Sequence, residues 1–189
     1  MAVIYSDVFS EYEIKETSIK FTGGEKFEKI GCVGSIEESL ENVTVTKKCE
    51  GVVVKSVTRG TGNGELKMSL HMRYDLYIDA FGMKDEGLKD GVIGYGRNSR
   101  HKNFCMVAIV KDEDGNIKYI AYPNLTISSG VENKIENGAE EVAEIELTIA
   151  VQPDENGFGK YEALDKLLDQ EIKTKWMTEF TPVLVKKAQ

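Results

Sequence analysis

The chain has 189 residues, of which 41% are hydrophobic and 30% charged, and its formal net charge is −8. This composition is typical of a soluble globular protein with one well-packed domain and terminal arms. It argues against a membrane protein, because no apolar run approaches the roughly 20 residues that a membrane helix needs. It also argues against a nucleic-acid binder, because affinity for phosphate requires an excess of Lys and Arg. The N-terminus lacks the basic region of a signal peptide.

The first quarter of the chain predicts an arm followed by strands. Residues 1–25 have little hydrophobic pattern and end in Thr22-Gly23-Gly24, which indicates an N-terminal arm. Residues 27–36 are predicted to form a strand, and residues 37–41 (EESLE) a charged loop. A second strand is predicted over residues 43–49 and onward through 51–57, where valine is abundant.

A glycine-rich segment then separates two strand patterns. Arg59 to Gly64 (RGTGNG) is predicted to be the flexible tip of a hairpin and an assembly loop, with the candidate residues Arg59, Gly60, Gly62, Asn63 and Gly64. A phosphate-binding loop is the alternative, but the GxxxxGK spacing is missing and no helix follows. From Glu65 to Arg73 the chain alternates strictly, with one apolar face made of Leu66, Met68, Leu70 and Met72.

The middle of the chain predicts a short helix and a buried hairpin. Apolar and aromatic residues recur at helical spacing from Tyr74 to Phe81, and Gly82 stands where a helix C-terminus favours glycine. Phe104 to Val110 is apolar on both faces, as in a strand buried on both sides. Asp114-Gly115, before the strand-like run from Ile117 to Tyr122, predicts a tight turn.

The C-terminal third predicts one half-buried strand and a second helix. In Val142 to Val151 the apolar residues alternate with Glu144, Glu146 and Thr148. The spacing of Tyr161, Leu164, Leu167 and Leu168 predicts a short helix. Residues 172–180 fit either a strand or a helix, with Trp176 and Phe180 buried. Residues 181–189 are predicted to form a C-terminal arm.

This inventory of seven or eight strands, two short helices and no internal repeat predicts a mainly β protein. The absence of a βαβ rhythm favours an antiparallel β-sandwich or open barrel with one or two short helices packed on it. We expect a single β-rich domain over residues 26–180, between the two arms.

The residue types of catalytic and metal sites are sparse. Cys32, Cys49 and Cys105 are widely spaced and form no CxxC motif, so we expect three reduced and mostly buried thiols without zinc. His71 has no partner at a recognisable catalytic spacing. Asp112 to Asn116 (DEDGN) has its glycine at the wrong position for a calcium loop. We therefore expect no enzymatic activity, no metal and no cofactor.

The charge is unevenly distributed. Residues 131–155 contain eight acidic residues and one lysine, so −7 of the net −8 lies in this segment. The basic cluster RNSRHK supplies Arg97, Arg100 and Lys102 as candidates for a contact with such an acidic segment on a neighbouring subunit. A solvated surface loop explains the same cluster equally well, and a solvated acidic face explains the acidic segment.

The order and texture of four segments resemble the major tail proteins of long-tailed bacteriophages. These segments are GVVVKSVTRGTGNGELKMSLHMRYDLYIDAFG (51–82), GVIGYGRNSRHKNF (91–104), DEDGNIKYIAYPN (112–124) and ENGAEEVAEIELTIAVQPDENGFGKYEAL (136–164). The resemblance covers roughly residues 25 to 165. It implies a structural virion protein of the tail, a β-sandwich with a helix, that is assembled in the host cytoplasm and stacks as hexameric rings.

The resemblance also implies partners and a lumen. The partners would be further copies of the chain, the tape measure, tail terminator and distal tail proteins, and genomic DNA passing through without sequence-specific binding. Glu144, Glu146 and Thr148 are the candidate lumen face, where negative charge would keep DNA from adhering. The alternative lining is the set of polar side chains Lys67, Ser69, His71 and Arg73, which alternate with the apolar residues of the strand from Glu65 to Arg73.

The alternatives are a related phage protein, a binding module and an enzyme. A tail-completion protein and a contractile-tail tube subunit are closest to the tail-tube reading. A carbohydrate-binding β-sandwich would need a platform of exposed aromatic residues, and only 8% of residues are aromatic. A small β-rich enzyme would need a convergent set of titratable groups that the sequence does not present.

Overall fold

The computed structural model describes residues 8–138 and 140–187. Within these residues the structure has eight strands and two α-helices, with one helix after each group of four strands. In chain order they are β1 (Glu13–Phe21), β2 (Glu28–Lys29), β3 (Gly31–Cys49), β4 (Val52–Met72), α1 (Tyr74–Ala80), β5 (Phe104–Lys111), β6 (Ile117–Ile127), β7 (Ile145–Val151), β8 (Tyr161–Leu164) and α2 (Gln170–Glu179). Two short 3₁₀ turns, Asp165–Leu167 and Pro182–Val185, lie in the C-terminal region. The prediction of a mainly β class with two short helices is confirmed.

The strands form one antiparallel sheet in the order β2-β1-β5-β6-β7-β4-β3, with β8 paired to β6. The two outer strands, β2 and β3, do not pair with each other but are joined in the chain through the single residue Ile30, which is 1% exposed, so the sheet must curl to bring their ends close at this point. The Ile30 carbonyl accepts a hydrogen bond from the Arg73 amide at 2.9 Å. The result is an open, strongly curved sheet around a single interior.

The concave side of the sheet holds the main core. Leu66, Met68 and Leu70 of β4 are at most 1% exposed, so the predicted alternation of this strand is confirmed. They pack with apolar residues from β5, β6, β7 and α1. Helix α1 ends at Ala80 and is capped by Phe81. Gly82 follows, as predicted, with φ +60°, and its missing Cβ leaves room for the backbone of Arg100.

A second core lies on the outer side of β5 and β6. Helix α2 places Trp176 and Phe180, each 1% exposed, against Val107, Tyr119 and Ala121. The Trp176 indole N–H donates to the Ile120 carbonyl at 3.2 Å. The ambiguous segment 172–180 is therefore a helix, and the predicted burial of both aromatic residues is confirmed.

The predicted N-terminal arm is wrong over Glu13–Phe21, which is strand β1 between β2 and β5. Thr17 and Ser18 are buried there beside Ile19, and these polar residues hid the apolar pattern of the strand. Residues 1–7 and 188–189 of the two predicted arms lie outside the described residues. The charged loop predicted at residues 37–41 is also wrong, because these residues continue β3.

The second predicted helix is wrong as well. Residues 161–164 form β8, which pairs with Lys118–Ala121 of β6, and a 3₁₀ turn follows directly. The prediction failed because Tyr161 and Leu164 of this short strand and Leu167 and Leu168 at the turn after it are spaced in the sequence as they would be on one face of a helix. The predicted strand Val142–Val151 begins later, at Ile145, and its apolar residues face the core.

Candidate assembly surfaces

β3 and β4 form one hairpin that extends beyond the rest of the sheet. Its turn is Glu50-Gly51, with φ of +50° and +84°, and positive φ at both positions is what a two-residue type I′ turn requires. β4 pairs with β7 only from Gly64 to Leu70. Beyond Gly64 towards the turn, no other described strand pairs with β3 or β4, and residues 37–60 are exposed throughout. We call residues 42–60 the ribbon; it is about 27 Å long at roughly 3.4 Å per residue.

The ribbon has two chemically different faces. Val45 lies opposite Val57, and Thr44 lies opposite Thr58. Because side chains alternate along a strand, the first face combines valines with basic residues, namely Val43, Val45, Val57, Lys47, Lys55 and Arg59. The second face carries the hydroxyls of residues 44, 46, 56 and 58, with Val54 nearer the turn, and the Thr44 and Thr58 Oγ1 atoms are 2.7 Å apart. Val43, Val45 and Val57 are 39%, 57% and 48% exposed, so none of the residues that the structure describes covers the first face.

The predicted hairpin tip at RGTGNG is wrong, because Arg59, Gly60, Gly62, Asn63 and Gly64 all lie inside β4. The segment is the place where the ribbon joins the body. Gly62 has φ +81°, and a Cβ there would lie 2.7 Å from the Gly157 carbonyl oxygen and 2.9 Å from the Pro153 side chain. Glycine is therefore required for close backbone approach. A role of these residues in assembly stays a prediction.

The two alternative lumen linings prove to be parts of one surface. Lys67 lies opposite Thr148, and Ser69 lies opposite Glu146. Residues that face each other in an antiparallel pair project from the same side of the sheet. We call this surface the polar face, with the residues Ser35, Glu37, Lys67, Ser69, Glu146 and Thr148. Its position in a lumen stays a prediction.

The other candidate residues of these linings have different surroundings. Thr148 is half-buried, and its amide donates to the Ser129 hydroxyl at 3.1 Å. Glu144 precedes β7, and its carboxylate lies against Gly34. Arg73 forms a salt bridge with Glu28 at 3.1 Å and another with Asp75. Glu146 is the exposed acidic residue that β7 itself contributes to the polar face.

An acidic segment lies at the end of the sheet opposite the ribbon. It comprises residues 131–138 and 140–144, between β6 and β7, and we call it the acidic end segment. Its position follows from the pairing of Ile145 with Leu70, near the last residue of β4. A cleft of about 510 Å³ is lined by Val131, Glu132, Asn133, Lys134, Glu144 and Glu146. Ile135 and Val142 of the same segment are 92% and 82% exposed.

The basic cluster lies in the long loop between α1 and β5. Arg97 and Arg100 are exposed. Lys102 is engaged within the chain: its Nζ lies 3.4 Å from Asp79 Oδ1 and 5.6 Å from the centre of the Phe21 ring. His101 supports the loop, since its Nδ1 lies 2.7 Å from the Ile127 carbonyl oxygen. The role of Arg97, Arg100 and Lys102 in a subunit contact stays a prediction.

A network of charged groups, which we call the clasp, ties β3 to the opposite side of the curved sheet. Its members are Glu11, Glu38, Lys118, Tyr122, Lys160 and Glu162. Glu38 of β3 accepts hydrogen bonds from the Tyr122 hydroxyl and, at 3.0 Å, from the Lys160 ammonium. Lys160 also bonds Glu162 at 2.9 Å. Lys118 pairs with Glu11 and lies 3.7 Å from Glu162. The clasp therefore holds the edge strand beside β6 and β8.

The clasp shifts the ionisation of its members. Burial and then the Glu38 carboxylate raise the pKa of Tyr122. The hydrogen bond from Lys118 lowers the pKa of Glu11. Partial burial acts to raise the pKa of Glu162, but the bond and charge of Lys160 outweigh it and the pKa is lowered. Burial likewise opposes the raised pKa of Lys160, which the two carboxylates sustain.

The three cysteines are free thiols, as predicted, but their predicted burial is wrong for two of them. Cys32 and Cys49 are exposed on β3, and Cys49 lies beside the ribbon turn. Only Cys105 is largely covered, and burial raises its pKa to about 12. His71 is exposed on β4.

Among residues 8–138 and 140–187, no group of three or more His, Cys, Asp or Glu side chains could hold a metal ion. Within the same residues, no helix has the length and apolar character needed to cross a membrane. The predicted absence of enzymatic activity, metal and cofactor stays a prediction.

Comparison with known proteins returned no matching family model and no matching curated protein. Among solved structures, the fold is similar to a chain in the six-fold symmetrised cryo-EM structure of the anti-feeding prophage baseplate, with a TM-score of 0.49 and 10% sequence identity. The match covers 87% of this chain and 100% of that chain. A similarity of this size carries no argument about function, so the functional proposal rests on the sequence and on the surfaces described above.

Proposed function

We propose that this chain is a structural tail-tube subunit that polymerises as stacked hexameric rings in a phage or phage-like tail. The observation that carries the proposal is the ribbon. Two long strands leave the body and expose valines and basic residues that no part of the described chain covers. A long, exposed apolar hairpin is a liability for a monomer, because it invites pairing with other chains. It is a useful feature in a subunit whose task is to polymerise.

The free edge of β3 supports the same proposal. Among the strands of the described residues, β3 ends the sheet, and along Gly31–Cys49 it pairs only with β4. Its outer edge therefore presents unpaired backbone groups to a strand of a neighbouring subunit. Pairing of this kind around a ring would extend the sheet from one subunit to the next.

The polar face is suited to line the channel of such a ring. It lies on the side of β3, β4 and β7 opposite the main core, and it mixes Glu37 and Glu146 with Lys67 and serine hydroxyls. A surface with both charges and a slight acidic excess offers few consecutive phosphate contacts, so DNA would pass without adhering. In this proposal, the chain acts in the virion tail with the tape measure, tail terminator and distal tail proteins as partners.

The proposal assigns no catalysis to the titratable residues. The carboxylates of the clasp are occupied by lysines and by Tyr122. His71 and His101 lie far apart in the chain, and His101 is engaged by a backbone carbonyl. Replacing His71, His101, Cys32, Cys49 or Cys105 singly is expected to change folding or assembly at most.

Electron microscopy combined with sedimentation velocity tests the proposal. The purified protein is examined over a wide concentration range, alone and co-expressed with a tail initiator protein. The control variant replaces Thr44–Thr58 with Asn-Gly, which keeps the facing residues Val43 and Arg59 in register. We expect the wild-type chain to form rings or tubes and the control to remain a folded monomer. A strictly monomeric wild-type protein under every condition would overturn the proposal.

A further inference from the structure

We infer that the valine and basic face of the ribbon docks on the acidic end segment of a second copy stacked head to tail. This inference rests on the proposed function and names the surface that receives the ribbon. It follows from three observations: the positions of the two surfaces, their opposite charge, and the exposed apolar residues that both contain.

The two surfaces lie at opposite ends of the molecule. The ribbon includes the first part of β4, up to Gly60. The acidic end segment lies at the other end of β4, because it leads directly into Ile145, which pairs with Leu70. A subunit that uses one end to bind the other end of the next copy makes a heterologous contact. Contacts of this type do not close within a pair of copies, and repeated along an axis they produce an open-ended stack.

The two surfaces have opposite charge. Residues 42–60 contain Lys47, Lys48, Lys55 and Arg59 against Glu50, a net charge of +3 in a chain whose total is −8. The acidic end segment contains five acidic residues (Glu132, Glu136, Glu140, Glu141 and Glu144) against Lys134, a net charge of −4. Complementary charge of this kind steers association and sets the register of the two partners.

Both surfaces also expose apolar side chains among their charges. The ribbon contributes Val43, Val45 and Val57, and the acidic end segment contributes Ile135 and Val142, which are 92% and 82% exposed. An apolar centre with a charged rim is the usual composition of a protein interface. Binding to DNA would use the charge of the ribbon but leave its valines in water, so a second copy fits the ribbon better.

Charge reversal tests the inference within one chain. The first variant carries Lys47→Glu and Lys55→Glu, the second carries Glu132→Lys and Glu144→Lys, and the third combines all four. All four side chains are exposed, so thermal unfolding should show that each variant folds. We expect each double variant to raise the critical concentration for assembly about tenfold or more, and the combined variant to restore it.

The matched control reverses the other basic surface, with Arg97→Glu and Arg100→Glu, and we expect it to assemble like the wild type. If the wild type assembles but the combined variant does not recover, the acidic end segment is not the receptor, and the proposed function stands. If the control alone blocks assembly, the basic loop is the donor and the inference is wrong. A wild-type chain that never assembles overturns the proposed function instead.

Nucleic acid is distinguished by adding a short double-stranded DNA at the same ionic strength. If the DNA binds the wild-type ribbon and reversal of Glu132 and Glu144 leaves assembly unchanged, the ribbon is a DNA contact and the inference is overturned.

Discussion

The two halves of the β3–β4 hairpin have similar backbones and opposite surroundings. In the body half, Leu66, Met68 and Leu70 alternate with polar residues and are buried in the main core. In the ribbon half, Val43, Val45 and Val57 are exposed on a face that they share with three basic residues. Both halves are rich in residues that favour strands, so strand propensity explains why both halves are extended. It does not explain why the apolar residues of one half are buried and those of the other are exposed. Apolar residues that a chain orders in strands and leaves uncovered indicate a contact with another chain.

The largest difference between the halves should appear on truncation of their side chains. Leu66→Ala removes a fully buried side chain, so we expect it to lower the free energy of unfolding by about 2–5 kcal/mol. Val45→Ala removes an exposed one and should change it by about 0.5 kcal/mol or less. Urea unfolding measures both. Val45→Ala should nevertheless weaken assembly, and an equal loss of stability in the two variants would contradict the division of the hairpin.

The junction of the halves should be sensitive at one glycine and tolerant at another. Gly62→Ala forces a side chain into a positive φ and against the Gly157 carbonyl, so we expect a loss of about 1–3 kcal/mol. Gly60→Ala is the matched control, because the nearest atom to its Cβ would be 4.0 Å away. Thermal unfolding of both variants checks the expectation. If both changes are tolerated equally, the close packing of the junction on the 153–159 turn is not needed for stability.

The clasp should make the body, and not the ribbon, sensitive to pH. The pKa values of Glu11 and Glu162 are lowered in the folded state, so their contribution to stability is present above the unfolded pKa of about 4.3 and is lost as the pH falls below it. The pKa values of Lys160 and Tyr122 are raised. Their contribution is present below the unfolded values of about 10 and is lost as the pH rises above them.

We therefore expect the unfolding temperature to fall in acid, and Glu162→Gln to reduce this fall by about 1–3 °C, a small effect because Glu162 is half exposed. The variant with Lys47→Glu and Lys55→Glu should keep the acid profile of the wild type. Thermal scans between pH 7 and pH 3 make the comparison. A Glu162→Gln profile that coincides with the wild type would remove the clasp from the account.

The smallest expected difference between the body and the ribbon is in the reactivity of their thiols. In the unassembled protein, we expect a thiol reagent to modify Cys32 and Cys49 rapidly and Cys105 slowly, because burial raises the pKa of Cys105 to about 12 and covers its sulfur. Assembly should protect Cys49 at the ribbon turn. Mass spectrometry before and after assembly measures the labelling, and rapid labelling of Cys49 within tubes would place the ribbon turn outside the contact.

The sequence predicts those features whose signals are local. Asp114-Gly115 was identifiable as a turn because Asp-Gly suits positive φ, and Gly115 has φ +83°. Glu50-Gly51 makes the corresponding turn of the ribbon, but glutamate rarely adopts positive φ, and the glycines from Gly60 to Gly64 gave a stronger turn signal. Of those glycines, Gly62 and Gly64 serve close packing within a continuous strand.

Features that depend on distant contacts were not predictable in the same way. Glu38 was expected in a charged loop, yet it bonds Tyr122 and Lys160, which are 84 and 122 residues away in the chain. The residues around Glu38 in the sequence do not indicate such distant partners. The polar face was predictable only in part. The alternation in Glu65–Arg73 and Val142–Val151 identified side chains of β4 and β7 that belong to it, but the pairing of these two strands, which makes them one surface, was not visible in the sequence.

A cryo-EM reconstruction of the assembled polymer tests the central claim most directly, because it shows what covers the ribbon. We expect a stack of rings in which the ribbon of one copy lies on the acidic end segment of the next, with the valines of the ribbon buried at that contact. A polymer in which the ribbon projects into solvent, or contacts only its own body, would contradict the account.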